Sequence, residues 1–240
     1  MKNTLTLLLL ILMISCKSEK KPTPNFKVEY KGALRNMMKK GDVSAKETLA
    51  IFKDKKHIYA LGAIENLKGE IQIFDNNPFL TQVIDSALSF DYSLTKKATL
   101  LVYASVKKWK KITIPNTIST YKELEKYIAK TAKENQIKIN EPFPFLLEGA
   151  PKSFDWHVIN WKDGDTQHSH KKHINSGLHG TLINRKATFL GFYSDAHHAI
   201  FTHHTTNMHI HFLTDDKKIA GHVDGLILDK NMILKLPAVE

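Results

Sequence analysis

Three histidines in the C-terminal half of the chain have the side chains and the spacing that a metal site requires. His209 and His211 alternate within an apolar run, so both side chains leave the same face of one strand. The charged residues 215–218 separate that run from the next one and predict a hairpin that pairs His211 with His222. Cross-strand neighbours have Cβ atoms about 5 Å apart. We therefore predict that His209, His211 and His222 bind Zn²⁺ or another divalent transition metal.

The structural alternative is that each histidine is an ordinary polar residue at the edge of a sheet. A single histidine in a strand is most simply explained in that way, and one His-x-His pair is weak support for a metal. Three convergent rings favour the metal, because burying imidazoles without partners is costly. Imidazole is also a common donor to transition metals.

The remaining histidines are concentrated near these three. Of the thirteen in the chain, twelve lie between His157 and His222, which places the chemistry in the C-terminal half. His168, His170 and His173 follow a turn and are interleaved with lysines, so we interpret them as a mobile polar loop rather than an auxiliary metal site. Four further histidines are expected to line a pocket or to lie at strand ends: His197, His198, His203 and His204.

The N-terminal residues have the pattern of a targeting signal. Lys2 precedes an apolar segment over residues 5–14 that is too short to span a bilayer. Cys16, the only cysteine, follows that segment and is expected to be the lipid-modified first residue of a bacterial lipoprotein. An uncleaved anchor helix is disfavoured by its length. We predict a signal peptide over residues 1–15, a tether over 16–28, and a cell-envelope location with the lipid on Cys16 in the membrane.

The charge of the chain is strongly basic, at +11 with histidine neutral. The lysines are scattered through the sequence rather than gathered in a stripe with interleaved aromatic residues, and no recognisable nucleic-acid module is present. We therefore expect no nucleic-acid partner, and we interpret the lysines as solvated faces beside anionic lipid.

Residues 29–150 are predicted to form a mixed α/β half. Two helices are expected within residues 30–53. The first ends at Gly41, and the second is opened by a capping box of Ser44 and Glu47. Strands are predicted over residues 58–64, 70–74, 100–106 and 111–114. A second capping box, Thr120 with Glu123, opens a helix that runs to about Lys133.

Residues 151–240 are predicted to form an all-β half that carries the histidines. A linker is expected between Pro142 and Pro151, because three prolines and a glycine fall there. Strands are predicted beyond it over residues 154–161, 178–184, 188–193, 199–204, 207–214, 219–228 and 232–236. Short strands at this even spacing favour a barrel or a sandwich, so the predicted fold class is α+β.

These motifs resemble those of the bacterial α-acetolactate decarboxylases. The family's His-x-His and its Gly-His-Val, separated by a short gap, correspond to residues 209–211 and 221–223. Leu190-Gly191-Phe192 and the run over residues 62–70 are also similar to the family. The resemblance extends over roughly residues 30–236 and implies a two-part α/β protein that holds zinc on its C-terminal β-structure.

The resemblance also implies a reaction and roles for single residues. It indicates zinc-dependent decarboxylation of acetolactate to acetoin, or of a related 2-hydroxy-3-oxo acid, with Glu70 returning a proton to the carbon that loses CO₂. The segment over residues 154–161 lacks the arginine that the family carries there, and His157 is our candidate for the cationic partner of the substrate carboxylate. The alternative function is a non-catalytic metal-binding or sensing lipoprotein on the same fold. A homodimer is left open.

Overall fold

The structure is a computed structural model of the chain and describes residues 25–238. The predicted signal peptide, Cys16 and most of the predicted tether lie outside the described residues. Among the described residues, no helix has both the length and the apolar character needed to cross a membrane.

Two antiparallel sheets of eight strands each make up most of the described chain. The first contains β1 (Val28–Lys31), β2 (Glu47–Thr48), β3 (Ile58–Ile64), β4 (Glu70–Phe74), β5 (Asn77–Pro78), β6 (Leu80–Ile84), β7 (Ala87–Asp91) and β8 (Lys97–Ser105). The second contains β9 (Trp109–Thr113), β10 (Phe143–Gly149), β11 (Ser153–Val158), β12 (Leu178–Ile183), β13 (Ala187–Tyr193), β14 (Met208–Thr214), β15 (Ala220–Ile227) and β16 (Ile233–Pro237). The helices are α1 (Leu34–Lys40), α2 (Tyr121–Glu134) and α3 (His170–Asn175), with short 3₁₀ helices at Leu49–Phe52 and Glu65–Leu67.

Both sheets are open. The first has the order β1-β8-β3-β4-β6-β7, with β2 added beside β8 and β5 beside β4. The second has the order β12-β11-β15-β14-β13-β10-β16-β9. The chain changes from one sheet to the other between Ser105 and Trp109, ahead of the predicted boundary at residue 150. Because neither sheet closes on itself, the barrel is wrong as one of the two predicted alternatives, a barrel or a sandwich. Strands β9 and β10, which precede residue 151, also belong to the second sheet.

An apolar layer holds the two sheets together face to face. Leu61 and Leu100 of the first sheet belong to the same buried cluster as Leu190 and Phe192 of the second. Close approach between β3 and β8 requires Gly62, because a Cβ there would lie 2.0 Å from the carbonyl oxygen of Leu100. Gly62 lies within residues 62–70, the segment that is similar to the family. The packing of β3 against β8 therefore explains why a glycine is needed at this position of the segment.

The N-terminal half contains more strand than the mixed α/β prediction implied. The first predicted helix is α1, which ends at Gly41 in a left-handed conformation as expected. The second predicted helix is wrong: the side chain of Asp42 accepts hydrogen bonds from Ser44 and forms a local turn instead. Glu47 then lies in the short strand β2.

The predicted linker is also wrong, because β10 occupies it. Phe143, Phe145 and Leu147 are fully buried, and this apolar run outweighs the turn signal of the prolines. Pro144 is accommodated because it pairs only with β13, while the pairing with β16 covers residues 146–148. The predicted helix after Thr120 is confirmed as α2, with both hydrogen bonds of the capping box.

Candidate active site

The hairpin of β14 and β15 brings the three predicted metal ligands together. His211 pairs directly with His222, as the sequence predicted, and the amide of Thr214 donates to the carbonyl of Ile219 at 2.9 Å to close the turn. One ring nitrogen from each of His209, His211 and His222 lies within 4.8 Å of the others. The predicted pairing of His211 with His222 is confirmed, while the role of the three histidines as metal ligands stays a prediction.

The orientation of His211 is set by the first sheet. Its Nδ1 lies 3.1 Å from the side-chain oxygen of Gln72 on β4, and the amide nitrogen of Gln72 donates to Thr81 at 3.2 Å. Because the Gln72 oxygen can only accept, Nδ1 of His211 carries the proton and Nε2 presents a lone pair. A partner that fixes the outer nitrogen in this way is typical of metal-binding histidines.

The donor set fits a tetrahedral transition metal. The Nε2 atoms of His209 and His211 lie 3.1 Å apart, and both rings are buried. Two ligands at 2.0–2.1 Å from one zinc in tetrahedral geometry would be about 3.3 Å apart, close to this separation. Burial lowers the pKa of both rings well below the usual value, which favours the neutral form that binds metals.

Asp224 holds two histidines from the same strand face as His222. Its carboxylate accepts from Nδ1 of His157 at 2.7 Å and lies 3.3 Å from Nδ1 of His222. Burial acts to raise the pKa of Asp224, but the hydrogen bond from His157 and the nearby ring of His222 outweigh it and hold that pKa below its usual value. Our reading of the sequence missed Asp224, although its position two residues after His222 puts it on the same face of β15.

Glu70 projects from β4 of the first sheet toward the histidines of the second. The side chain is buried, and one oxygen accepts from the amide of Ile159 at 3.1 Å. The other oxygen lies 3.8 Å from Nε2 of His211. Burial raises the pKa of Glu70 to about 7, although the charge of His222 and the bond from Ile159 act to lower it.

His157 lies between two carboxyl groups. Its Nδ1 donates to Asp224, and its Nε2 lies 3.8 Å from Glu70. Burial lowers the pKa of His157 to about 4, although the hydrogen bond to Asp224 acts to raise it. The ring is therefore neutral near pH 7. The structure brings His157 to the site, but this pKa disfavours the cationic role expected from the sequence.

A cavity of about 300 Å³ opens beside these residues. Glu70, His157, His209 and His222 are on its wall, and none of the described residues that line it is a lysine or an arginine. The apolar part of the wall includes Leu34, Met37, Leu67 and Phe201. The cavity can hold a small molecule against the three-histidine cluster.

Part of the segment interpreted as a mobile loop is helical, so the loop interpretation is wrong for the residues from His170 onward. Residues from His170 onward form α3, whose first turn is capped by the side chain of Ser169. His170 and His173 line the cavity, while His168 stacks on Trp161 with ring centroids 4.4 Å apart. The spacing of these histidines in the sequence did not predict which rings face the cavity. The reason is that α3 is short and its position depends on packing against the rest of the protein.

The predicted strand over residues 199–204 is wrong, because these residues lie in the loop between β13 and β14. His203 lines the cavity from this loop. His197 instead forms a 2.7 Å hydrogen bond with the hydroxyl of Ser194, and its ring stacks on Phe201. His198 forms a hydrogen bond with the side chain of Asn207. One of the four histidines that were expected to line a pocket or end a strand therefore reaches the cavity from a loop.

The fold and the site define a two-sheet β protein with a cluster of three histidines, two of them buried, beside a carboxyl group. The model of the alpha-acetolactate decarboxylase family matches residues 33–237, so the chain belongs to that family. The confirmed resemblance rests on this match across most of the chain.

Solved structures share the fold at low sequence identity. The alpha-acetolactate decarboxylase of Bacillus subtilis strain 168 is 14% identical, with a TM-score of 0.69, and the match covers 88% of this chain and 85% of that one. A Staphylococcus aureus protein described as of unknown function and similar to alpha-acetolactate decarboxylase is also 14% identical, with a TM-score of 0.65 and coverage of 87% and 84%. The search of curated proteins found no match.

Proposed function

We propose that this chain is a metal-dependent carboxy-lyase that converts acetolactate to acetoin, or decarboxylates a related 2-hydroxy-3-oxo acid. The observation that carries the proposal is the position of Glu70, a buried carboxyl group on the cavity wall 3.8 Å from Nε2 of His211. With its pKa raised to about 7, a large share of Glu70 is protonated at neutral pH. Membership of the decarboxylase family supports the same reaction class.

The reaction requires a proton at the carbon that loses CO₂. The bond between the carboxylate carbon and the hydroxyl-bearing carbon breaks, CO₂ leaves, and the electron pair moves toward the neighbouring ketone. A proton then returns to the same carbon. Glu70 is the group on the wall that can supply it, because a general acid works best with a pKa near the working pH.

The residues around Glu70 control its orientation and its surroundings. The amide of Ile159 donates to one oxygen, and the neutral ring of His157 flanks the same oxygen at 3.8 Å. Apolar side chains, among them Leu67 and Phe201, form part of the same cavity wall. A divalent metal held by His209, His211 and His222 would supply Lewis-acid stabilisation of negative charge on the substrate oxygens. We propose zinc as that metal.

One assay tests the proposed reaction. The full-length protein is purified in detergent, loaded with Zn²⁺ and incubated with acetolactate, and CO₂ and acetoin are measured. We expect both products in equal amounts from the wild type and a large loss in the Glu70→Gln variant. Wild-type protein that retains metal and releases neither product would contradict the proposal.

A second candidate function is a non-catalytic metal-binding or sensing lipoprotein. The observation that favours it is the cavity wall, where no described lining residue is a lysine or an arginine that could neutralise a substrate carboxylate. The same assay separates the two functions, because this second protein would retain the metal without releasing CO₂ from acetolactate.

We also propose that the mature protein is held at the cell envelope by a lipid on Cys16. The support is the apolar segment that directly precedes this single cysteine. Cys16→Ser should block incorporation of radiolabelled palmitate and leave the precursor uncleaved. Equal labelling of Cys16→Ser and the wild type would contradict the anchoring.

A further inference from the structure

Two histidines that have no part in the three-histidine cluster meet over the cavity. His170 is the first residue of α3, and His203 lies in the loop between β13 and β14. Their ring centroids are 5.1 Å apart, and both rings line the cavity. The two rings therefore lie side by side at the wall of a cavity that is also lined by two of the candidate metal ligands, His209 and His222.

Each ring keeps one nitrogen available for a ligand. Nε2 of His170 lies 4.0 Å from Asp224, which is beyond hydrogen-bond distance. Nδ1 of His203 contacts the hydroxyl of Thr205 at 2.8 Å. That hydroxyl can donate to Nδ1, which leaves the N–H of His203 on Nε2. Nε2 of His173 is instead 2.9 Å from His168, so this third lining histidine already has a partner.

Separate contacts stabilise the two backbone segments that carry these rings. The amide of Lys172 donates to Ser169 at 3.2 Å and caps α3 just ahead of His170. The loop of His203 is tied to α2 through Glu125, which accepts from the hydroxyl of Thr206 at 2.5 Å and from the amide of Asn207 at 2.8 Å. The two rings are therefore carried by backbone segments that have their own stabilising contacts, although the side chain of His170 is 52% exposed.

The cavity wall has carboxyl groups but no described lysine or arginine side chain, so a bound carboxylate depends on neutral hydrogen-bond donors. Glu70 and Asp224 are acidic groups on its wall, and no described lining residue is a lysine or an arginine. A hydroxy acid that enters the cavity carries a carboxylate that must find hydrogen-bond donors. His157 already donates its N–H to Asp224, and His209 and His222 are proposed metal ligands. His170 and His203 are therefore lining histidines that remain to donate to a substrate carboxylate.

We propose that His170 and His203 form a subsite that binds the carboxylate of a small 2-hydroxy acid. The inference rests on the proposed function and deepens it, because it names the part of the substrate that these residues contact. Burial lowers the pKa of both rings, so they act as neutral N–H donors near pH 7. Neutral donors orient the carboxylate without strongly stabilising its charge, which suits a reaction in which that charge leaves the carboxylate.

The test compares two ligands that differ only at the carboxylate. The first is 2,3-dihydroxy-2-methylbutanoate, in which the ketone of acetolactate is reduced so that CO₂ is not lost. The second is 2-methylbutane-2,3-diol, in which a methyl group replaces the carboxylate. Dissociation constants are measured by calorimetry on the zinc-loaded, full-length protein in detergent, for the wild type and for the double variant His170→Ala/His203→Ala. His198→Ala, in the same loop but outside the cavity wall, is the matched control.

We expect the wild type and His198→Ala to bind the acid more tightly than the diol. The double variant should lose about tenfold or more of its affinity for the acid, as expected for losing hydrogen bonds to a charged group, and keep its affinity for the diol. The single variants His170→Gln and His203→Gln should each lose part of the preference for the acid over the diol. Zinc content, measured in parallel, should be equal in all variants.

An unchanged affinity of the double variant for the acid would overturn the subsite, as would a wild type that binds the acid no better than the diol. Failure of the proposed reaction gives a different result. If acetolactate yields no CO₂ while the acid preference is present and depends on His170 and His203, the subsite stands and the decarboxylase proposal falls.

Discussion

Gln72 and His211 are joined by a 3.1 Å contact across the two sheets, between the side-chain oxygen of Gln72 and Nδ1 of His211. Both side chains are fully buried. The contact makes the first sheet responsible for the orientation of a predicted ligand in the second sheet. It also places the proton on Nδ1 and leaves Nε2 as the nitrogen that is predicted to bind the metal.

Replacing Gln72 by leucine should weaken zinc binding, although all three predicted histidine ligands are unchanged. Loss of an outer hydrogen-bond partner typically costs about 10-fold to 100-fold in metal affinity. Competition with a chromogenic chelator measures the dissociation constant. Gln82→Leu is the control, because Gln82 bonds to the carbonyl of Lys68 and does not contact the cluster. Equal zinc affinity in the two variants would remove Gln72 from the metal site.

His211→Ala should abolish metal retention, because it removes one of three imidazole donors and leaves too few for a tight site. The wild type should retain about one divalent metal per chain after dialysis, as three-histidine sites do. His170→Ala should retain the metal as the wild type does. Elemental analysis of the dialysed proteins makes the comparison, and equal metal content in both variants would refute the assignment of His211.

Glu70→Gln should lower kcat by about 10²-fold to 10⁴-fold, as expected for loss of a positioned acid or base. Glutamine keeps the size of the side chain and can still accept from the amide of Ile159, but it cannot donate and regain a proton. Metal content should be unchanged. If Glu70→Gln loses metal as His211→Ala does, Glu70 is a ligand rather than an acid.

Glu123→Gln should reduce stability at neutral pH and lose this effect in acid. Hydrogen bonds from Ser119 and Thr120 lower the pKa of Glu123 in the folded protein to about 2, from a usual value of 4.5. A depressed pKa means that the charged group adds stability above the unfolded pKa and that this stability is lost as the pH falls toward 2. Urea midpoints at pH 7 and near pH 2.5 measure the difference between wild type and variant. Glu134→Gln, at the other end of α2, is the control, and a difference that grows in acid would contradict the prediction.

The sequence by itself determined the features that depend on neighbouring residues. Strand alternation and a charged turn were enough to place His209, His211 and His222 on one face, because both rules act over a few residues. The capping box of Thr120 and Glu123 was predictable for the same reason. Where a local signal competed with another, the prediction failed, as at Ser44, whose amide bonds to Asp42 instead of opening a helix.

Only the tertiary structure decided which distant groups complete the site. Glu70 and Gln72 lie on a different sheet from the histidine hairpin, and His170 and His203 reach the cavity from a short helix and a loop. The packing of β10, despite its proline, was decided by the burial of Phe143, Phe145 and Leu147. These outcomes depend on how two apolar faces fit together over long separations in the chain, and no local pattern of residues encodes that fit.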